Sequence, residues 1–371
     1  MKILWFTNIP SPYRVEFFNE LGRNCDLTVV FERNASAERD RSWTNNKFIS
    51  FKGIILKGIN IGVDKSLSIN ALKFIQKDKY DHIVISNPLT PTGIIAMKFM
   101  QAKKIPYSIL SDGGFPKNGH GIKEKIKRYI LSGASLYFST ASIHDQYYLL
   151  YGAKFKDIVR YPFTSLRTSD VLKVNLQKTE KEKLRNLLGM KEKKIIISVG
   201  RFTHGKGFDV LLKACSKLDE DTGVYIIGGQ PTQEYIKEIL KLKLKNIHFL
   251  EFMSKKELSK YYSAADLFVL PTRGDVWGLV INEAMAHGLP IITTNKCIAG
   301  LELVENGQNG YIIPVDNEEE LIEKMNELMK DDENREKMGR NNLKKIKEYT
   351  IEKMAKRHLE IFQERRRNAE E

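Results

Sequence analysis

A two-part α/β protein is what this chain predicts, and three observations predict it. Short apolar runs of strand length alternate with longer stretches of helical periodicity, the rhythm of a doubly wound parallel sheet. That rhythm breaks in Pro162–Asn175 and restarts at the apolar run Ile195–Val199. The 371 residues are long for one domain and comfortable for two, each with its own core. The expected domains are 1–165 and 176–347, with a cleft between halves of similar size as the usual place for a ligand.

Composition narrows the function classes. With 42% hydrophobic and 29% charged residues the chain can bury a core, which sets aside disorder. The net charge of +14 points to an anionic partner: a nucleotide, a polyphosphate, a nucleic acid or an acidic membrane surface. Lys-rich solvated faces are the plainer explanation. No helix-turn-helix, RNP-like sequence or basic–aromatic strand supports nucleic-acid binding. Cys25, Cys215 and Cys297 lie far apart without a CxxC pair, so neither a disulfide framework nor a zinc site is expected. The apolar start, Ile3–Phe6, is cut by Pro10 and Pro12 and is too short for a signal peptide, and no run reaches membrane-span length. The expected location is the cytoplasm.

In chain order, Ile3–Phe6 reads as the first strand, Asn8–Pro12 as a turn, Tyr13–Arg23 as a helix and Leu27–Phe31 as the next strand. Ligands of such sheets sit beyond the carboxyl ends of the strands, where Arg14 could face a phosphate or carboxylate, or cap its own surface. Residues 32–66, with Arg33, Arg39, Arg41 and Trp43, read as a loop or short hairpin. Helix 67–78, strand His82–Ser86, helix Gly93–Lys103 and strand Tyr107–Leu110 follow. Asp112, in Ser111-Asp112-Gly113-Gly114, ends that strand either as a holder of a polar substrate group or as a turn residue. His120 reads as an inert loop histidine. Ile122–Leu131 places Ile122, Ile126, Tyr129 and Ile130 together among Lys123, Lys125, Lys127 and Arg128. Such a helix can lie on an anionic membrane, but packing on its own sheet is the preferred reading. Leu136–Ser139 is a further strand and His144–Tyr151 a helix.

In the second half, the strand Ile195–Val199 runs into Gly200-Arg201-Phe202-Thr203-His204-Gly205-Lys206-Gly207 and then a helix. Three glycines and two cations between a strand and a helix fit a phosphate-binding loop, in which Arg201 could clasp a diphosphate in bidentate fashion and Lys206 act as a point charge. The loop is neither a Walker A motif nor a G-x-G-x-x-G fingerprint. Val224–Ile227 ends in Gly228-Gly229, where a ligand could approach the backbone. Ser254 and Glu257 have capping-box spacing at the start of helix Ser254–Ala264. The strand Leu267–Leu270 stops at Pro271, and Gly278 opens a helix with Leu279, Ile281, Ala284 and Met285 on one face, ended by Gly288. Asp275 and Glu283 flank that helix start, where backbone N–H groups can hold an anion. Helices 317–330, 332–347 and 351–367 close the chain.

Three blocks carry a resemblance to a known family: VGRFTHGKGFDVLLKA (199–214), ADLFVLPTRGDVWGLVINEAMAHGLPIITTN (265–295) and ENGQNGYIIPVDNEEEL (305–321). Together they resemble the retaining glycosyltransferases of family 4. SPYRVEFFNEL (11–21) looks like the start of surface-polysaccharide transferases. The resemblance implies the GT-B fold: two Rossmann-like doubly wound domains facing across a cleft, with the last helix returning to the first domain. It gives Arg201 and Lys206 the donor diphosphate, with Gly200 and Gly229 close by. Glu283, the second acid of the E-x7-E motif, would hold the donor ribose. Asp275 stands where the family usually has Glu facing the donor sugar. Gly278, Leu279 and Val280 would offer N–H groups, and Asp112 ends the first-domain strand near which the family often places a histidine.

The activity implied is metal-independent transfer of a hexose-type sugar from a nucleotide diphosphate donor, a UDP-sugar foremost, to a glycan or lipid-linked acceptor. The nucleotide sugar is a co-substrate, and no cofactor or metal is expected. Negative charge developing on the leaving diphosphate suits Arg201, Lys206 and a helix N-terminus. Asp219-Glu220-Asp221 reads as a solvated helix end. A GT-B-fold sugar-nucleotide epimerase and a non-catalytic GT-B-like chaperone subunit are the alternatives. Peripheral attachment to the inner face of the cell membrane fits the basic charge.

Overall fold

A computed structural model describes residues 1–34, 47–61, 65–117, 119 and 121–370. The chain forms two compact units, Met1–Ser165 with Thr350–Glu371, and Leu166–Tyr349. Each is a Rossmann-like α/β unit around a parallel sheet.

The first unit begins with β1 (Lys2–Thr7), α1 (Pro12–Leu21) and β2 (Asp26–Phe31), followed by β3 (Lys52–Ile55), β4 (Ile59–Ile61) and β5 (Lys65–Leu67). It continues through β6 (His82–Ser86), α2 (Pro91–Ala102), β7 (Ser108–Leu110), α3 (Ile122–Leu131), β8 (Leu136–Ser139), α4 (Ser142–Leu150) and β9 (Ile158–Arg160). The sheet order is β3-β2-β1-β6-β7-β8-β9, all parallel, and β4 and β5 pair antiparallel outside it. Strands buried on both faces need continuous apolar sequence, and β1 has it from Ile3 to Phe6.

The structure corrects the sequence reading in three places here. Residues 32–66 supply a main-sheet strand, β3, besides the β4–β5 pair; Arg39, Arg41 and Trp43 lie outside the described residues. The helix expected over 67–78 is a 3-10 turn at Ile69–Phe74 that ends where Ile75 becomes extended. The helix α3 packs on its core through Ile130 and Leu131, but the rest of its expected inward stripe is not covered: Ile122, Ile126 and Tyr129 are exposed at 77%, 53% and 68%.

The second unit contains α5 (Lys178–Leu188), β10 (Lys194–Val199), α6 (Phe208–Cys215), β11 (Thr222–Ile227), α7 (Gln233–Leu242), β12 (Ile247–Leu250), α8 (Lys255–Ala264), β13 (Leu267–Leu270) and α9 (Leu279–Ala286). Then come β14 (Ile291–Thr294), α10 (Ile298–Leu303), β15 (Gly310–Ile313), α11 (Glu318–Lys330) and α12 (Asp332–Ile346). The parallel order β12-β11-β10-β13-β14-β15 reverses direction between β10 and β13. Ser254 and Glu257 form the capping box at the start of α8.

The last helix, α13 (Ile351–Glu370), belongs to the first unit and packs on α1. His358 is fully buried there, stacked on Phe138 at 4.8 Å and touching Trp5 and Phe17. Burial lowers its pKa to about 4, so it packs as a neutral ring.

Candidate active site

Crevices at the carboxyl ends of parallel strands open where the strand order reverses. In the second unit that point lies between β10 and β13, and the loops after these two strands meet there. The loop after β10 runs Gly200-Arg201-Phe202-Thr203 into a 3-10 turn at His204–Lys206. Gly207 has φ 69°, and a Cβ there would stand 1.9 Å from the Pro271 carbonyl oxygen, so only glycine lets the two loops touch. Gly228, at the end of β11, presses against Gly200 in the same way: a Cβ would lie 1.9 Å from the Gly200 oxygen. Gly229 has open space beside it, and Arg201 is exposed.

Arg273 fastens this arrangement. Its guanidinium donates to both oxygens of Asp209 at 2.8 and 2.7 Å, to the His204 carbonyl at 2.8 Å, and pairs through Nε with Asp316 at 2.7 Å. Its backbone N–H and the Thr272 hydroxyl both donate to the Gly205 carbonyl, at 2.8 and 2.9 Å. The hydrogen bonds from Arg273 hold the Asp209 carboxyl below its ordinary pKa, against the opposing effect of burial. The backbone of the loop after β10 is thereby tied to the loop after β13.

On that frame Lys206 Nζ lies 2.5 Å from Asp275 Oδ2, with side chains 23% and 18% exposed. The family resemblance assigned these two groups to different parts of a ligand; the folded chain pairs them with each other. Asp275 is itself fixed by backbone bonds to Lys296 and Ile298. Gly278, at φ 101°, turns the chain into α9, and a Cβ there would meet Cys297 Sγ at 2.8 Å. Gly278 brings no side chain to cap α9, so the N–H groups of Leu279 and Val280 open its first turn. Trp277 is buried and donates to Asn282 at 2.8 Å, locking the loop onto the helix.

Glu283 sits farther along α9, and its Oε2 accepts from the Tyr262 hydroxyl at 3.2 Å. Burial, and then the Glu283 charge, push the Tyr262 hydroxyl pKa well up, which keeps it a donor. Asp275 and Glu283 therefore take different partners, Lys206 and Tyr262. Among the described residues no group of three His, Cys, Asp or Glu side chains is placed to hold a metal ion. Sequence reasoning missed Arg273, Asp209 and Trp277. Arg273 was visible as a charge beside Gly274, but nothing local told that Asp209, on α6, would meet it.

In the first unit, Asp112 follows β7 and receives Arg14 Nη2 at 2.7 Å and the Tyr13 hydroxyl at 3.2 Å. Arg14 is only 6% exposed, which sets aside the surface-capping reading. Burial alone would lower its pKa, but the Asp112 carboxylate, Tyr13 and Tyr161 together outweigh that and hold it raised. Tyr13, Arg14, Tyr161 and His358 line a small cavity beneath this pair. His144 is buried against Ser111 at 2.9 Å, and burial lowers its pKa to about 3. His120 lies outside the described residues.

Comparison with known proteins bears on these units. Residues 180–345 match the family described as "Glycosyl transferases group 1". Spore coat protein SA of Bacillus subtilis is 28% identical over 228 residues, 58% of this chain and 60% of that protein. Mannosylfructose-phosphate synthase of Agrobacterium fabrum is 26% identical over 260 residues, 61% of this chain and 56% of that protein. The chain thus spans little more than half the length of these relatives. Among solved structures, Anabaena HepE in complex with UDP superposes with a TM-score of 0.77 at 17% identity, covering 98% of this chain and 100% of that one. A glycosyltransferase from Rickettsia africae gives a TM-score of 0.76 at 17% identity, covering 98% of each chain. The chain has the GT-B fold, and its second unit carries the sequence pattern of group 1 glycosyl transferases over residues 180–345.

Proposed function

We propose that this protein is a retaining glycosyltransferase that moves a hexose-type sugar from a nucleoside diphosphate donor, foremost a UDP-sugar, to a glycan or lipid-linked acceptor at the inner membrane face. The observation that carries the reading is the pairing of Lys206 with Asp275 beside the uncapped start of α9, at the point where the strand order reverses. A diphosphate suits that arrangement, offering an anion to Lys206 and an acceptor to the α9 N–H groups. The relation to HepE, solved with UDP, supports the choice of donor base.

On this reading Arg201 and Lys206 take the diphosphate, Glu283 the ribose hydroxyls, and Asp275 a hydroxyl of the sugar. Asp112, held by Arg14 and Tyr13, serves the acceptor side. The anomeric carbon's bond to the phosphate oxygen breaks as its bond to the acceptor oxygen forms on the same face. The acceptor proton passes to the leaving phosphate oxygen, and the nucleoside diphosphate departs. Arg201, Lys206 and the helix start stabilise the charge that builds there, which makes a divalent ion unnecessary to the reading.

A donor screen tests it. UDP- and GDP-sugars are added in thermal-shift assays, since a ligand that binds the folded state raises Tm by mass action. The binding donor is then assayed for sugar transfer and hydrolysis. The expected result is stabilisation by one nucleotide class and its loss in Lys206→Ala. Free epimerised sugar formed without an acceptor would replace transfer by epimerisation, and binding without turnover would favour a chaperone subunit.

A further inference from the structure

The helix α3 leaves most of its apolar stripe outside the core. A surface helix normally turns its apolar stripe to its own core. Here Ile122, Ile126 and Tyr129, spaced i, i+4, i+7 on one face, point outward. The inward side seats Leu131 in the core with Ile130 packed against it, and beside them Lys127, whose ammonium lies 4.4 and 4.3 Å from the ring centres of Tyr147 and Tyr151. Arg128 donates to the Leu150 carbonyl at 2.7 Å, anchoring the helix to the end of α4. Lys98 sits 3.5 Å over the Tyr129 ring and donates to the Tyr129 carbonyl at 2.6 Å. Specific polar contacts thus hold α3 with its ridge outward.

What covers the ridge is decided by charge. Exposed Lys123 and Lys125 flank it on either side, and between Lys117 and Leu131 there are five cations, Lys117, Lys123, Lys125, Lys127 and Arg128, against one acid, Glu124. A second copy docked through the same face would bring these lysines onto themselves. Three side chains also fall short of the roughly 800 Å² per partner that a stable interface buries. An anionic bilayer surface satisfies both parts, with apolar side chains at the acyl boundary and ammonium groups at the headgroups.

We infer that α3 docks the first unit on an anionic lipid surface through Ile122, Ile126 and Tyr129, with Lys123 and Lys125 on the headgroups. The inference extends the lipid-linked acceptor reading of the proposed function, yet its test uses neither donor nor acceptor, so failure of one is separable from failure of the other.

The full chain is sedimented with phosphatidylglycerol vesicles and with neutral phosphatidylcholine vesicles at low and high salt. Binding to the anionic vesicles is expected, weakened by salt. Ile126→Ser should reduce it about tenfold, the effect of withdrawing one apolar side chain from the bilayer. Ile122→Ser/Ile126→Ser should nearly abolish it, with the melting curve unchanged because both positions are exposed. Leu240→Ser, equally exposed on α7, should bind as the parent does. Equal binding by parent and double variant would overturn the inference in favour of diffuse attraction to the +14 surface. No binding by the parent would overturn it outright, as would a parent dimer that the double variant converts to monomer.

Discussion

Lys206 Nζ stands 2.5 Å from Asp275 Oδ2, so the cation after β10 is paired with the acid after β13. A diphosphate must compete with that carboxylate for the lysine. Lys206→Ala is therefore expected to weaken UDP binding at least tenfold, about 1.4 kcal/mol or more. Asp275→Asn should strengthen it several-fold, because the lysine is released and a negative charge is removed. Titration calorimetry with UDP reads both; weaker binding by Asp275→Asn would place the acid on the nucleotide and not against it.

Arg273 should matter for the integrity of the loop. Its side chain makes a forked pair with Asp209 and reaches Asp316 and the His204 carbonyl. Arg273→Ala is expected to cost about 3 kcal/mol in chemical denaturation, from charged hydrogen bonds lost together. Arg273→Lys keeps the charge but not the fork, and should cost roughly half of that. Equal stability of parent and Arg273→Ala would show the network to be idle.

Gly207 sets the contact between the two loops. With φ at 69° and a Cβ position 1.9 Å from the Pro271 carbonyl oxygen, Gly207→Ala carries both a backbone and a steric penalty. A loss above about 2 kcal/mol is expected, against a few tenths for Gly205→Ala, whose Cβ would meet only Thr203 Oγ1, at 4.0 Å. Thermal unfolding of the two variants side by side checks this.

The stability of the first unit should depend on Glu32. This carboxyl is buried, accepts from the Thr90 hydroxyl at 2.5 Å, and is pushed up by burial to about 7. A folded pKa above the ordinary value of 4.5 means that the native state binds the extra proton between the two. Its contribution is thus full below about 4.5 and is lost as pH rises through about 7. Glu32→Gln, which keeps an acceptor for Thr90, should flatten the fall of Tm between those pH values. An unchanged pH profile would show that the carboxyl titrates normally.

Much of the second unit is legible in sequence because its signals are local. Val199–Gly207 announces a strand, a glycine-rich loop and a helix, and Pro271, Gly278 and Gly288 punctuate the next unit. In the first unit the same signals failed at β3, a short outer strand with half-exposed residues, and at 67–78, where apolar spacing suited a helix that the chain does not extend. Apolar periodicity identified α3 as a helix but could not say which way its stripe would face. That depended on Lys98, Lys127 and Arg128 finding Tyr129, Tyr147, Tyr151 and the end of α4.

By itself the sequence determined the two doubly wound units, the glycines that let backbones touch, and the stock of cations and acids at the strand ends. Those features are fixed by local periodicity and by conformations that glycine alone adopts readily. Only the tertiary structure decided the pairings: Lys206 with Asp275, Arg273 with Asp209, Arg14 with Asp112, Tyr262 with Glu283. An ion pair or hydrogen bond across tens of residues leaves no periodic trace, since its geometry exists only once parallel strands bring the two loops to one end of the sheet.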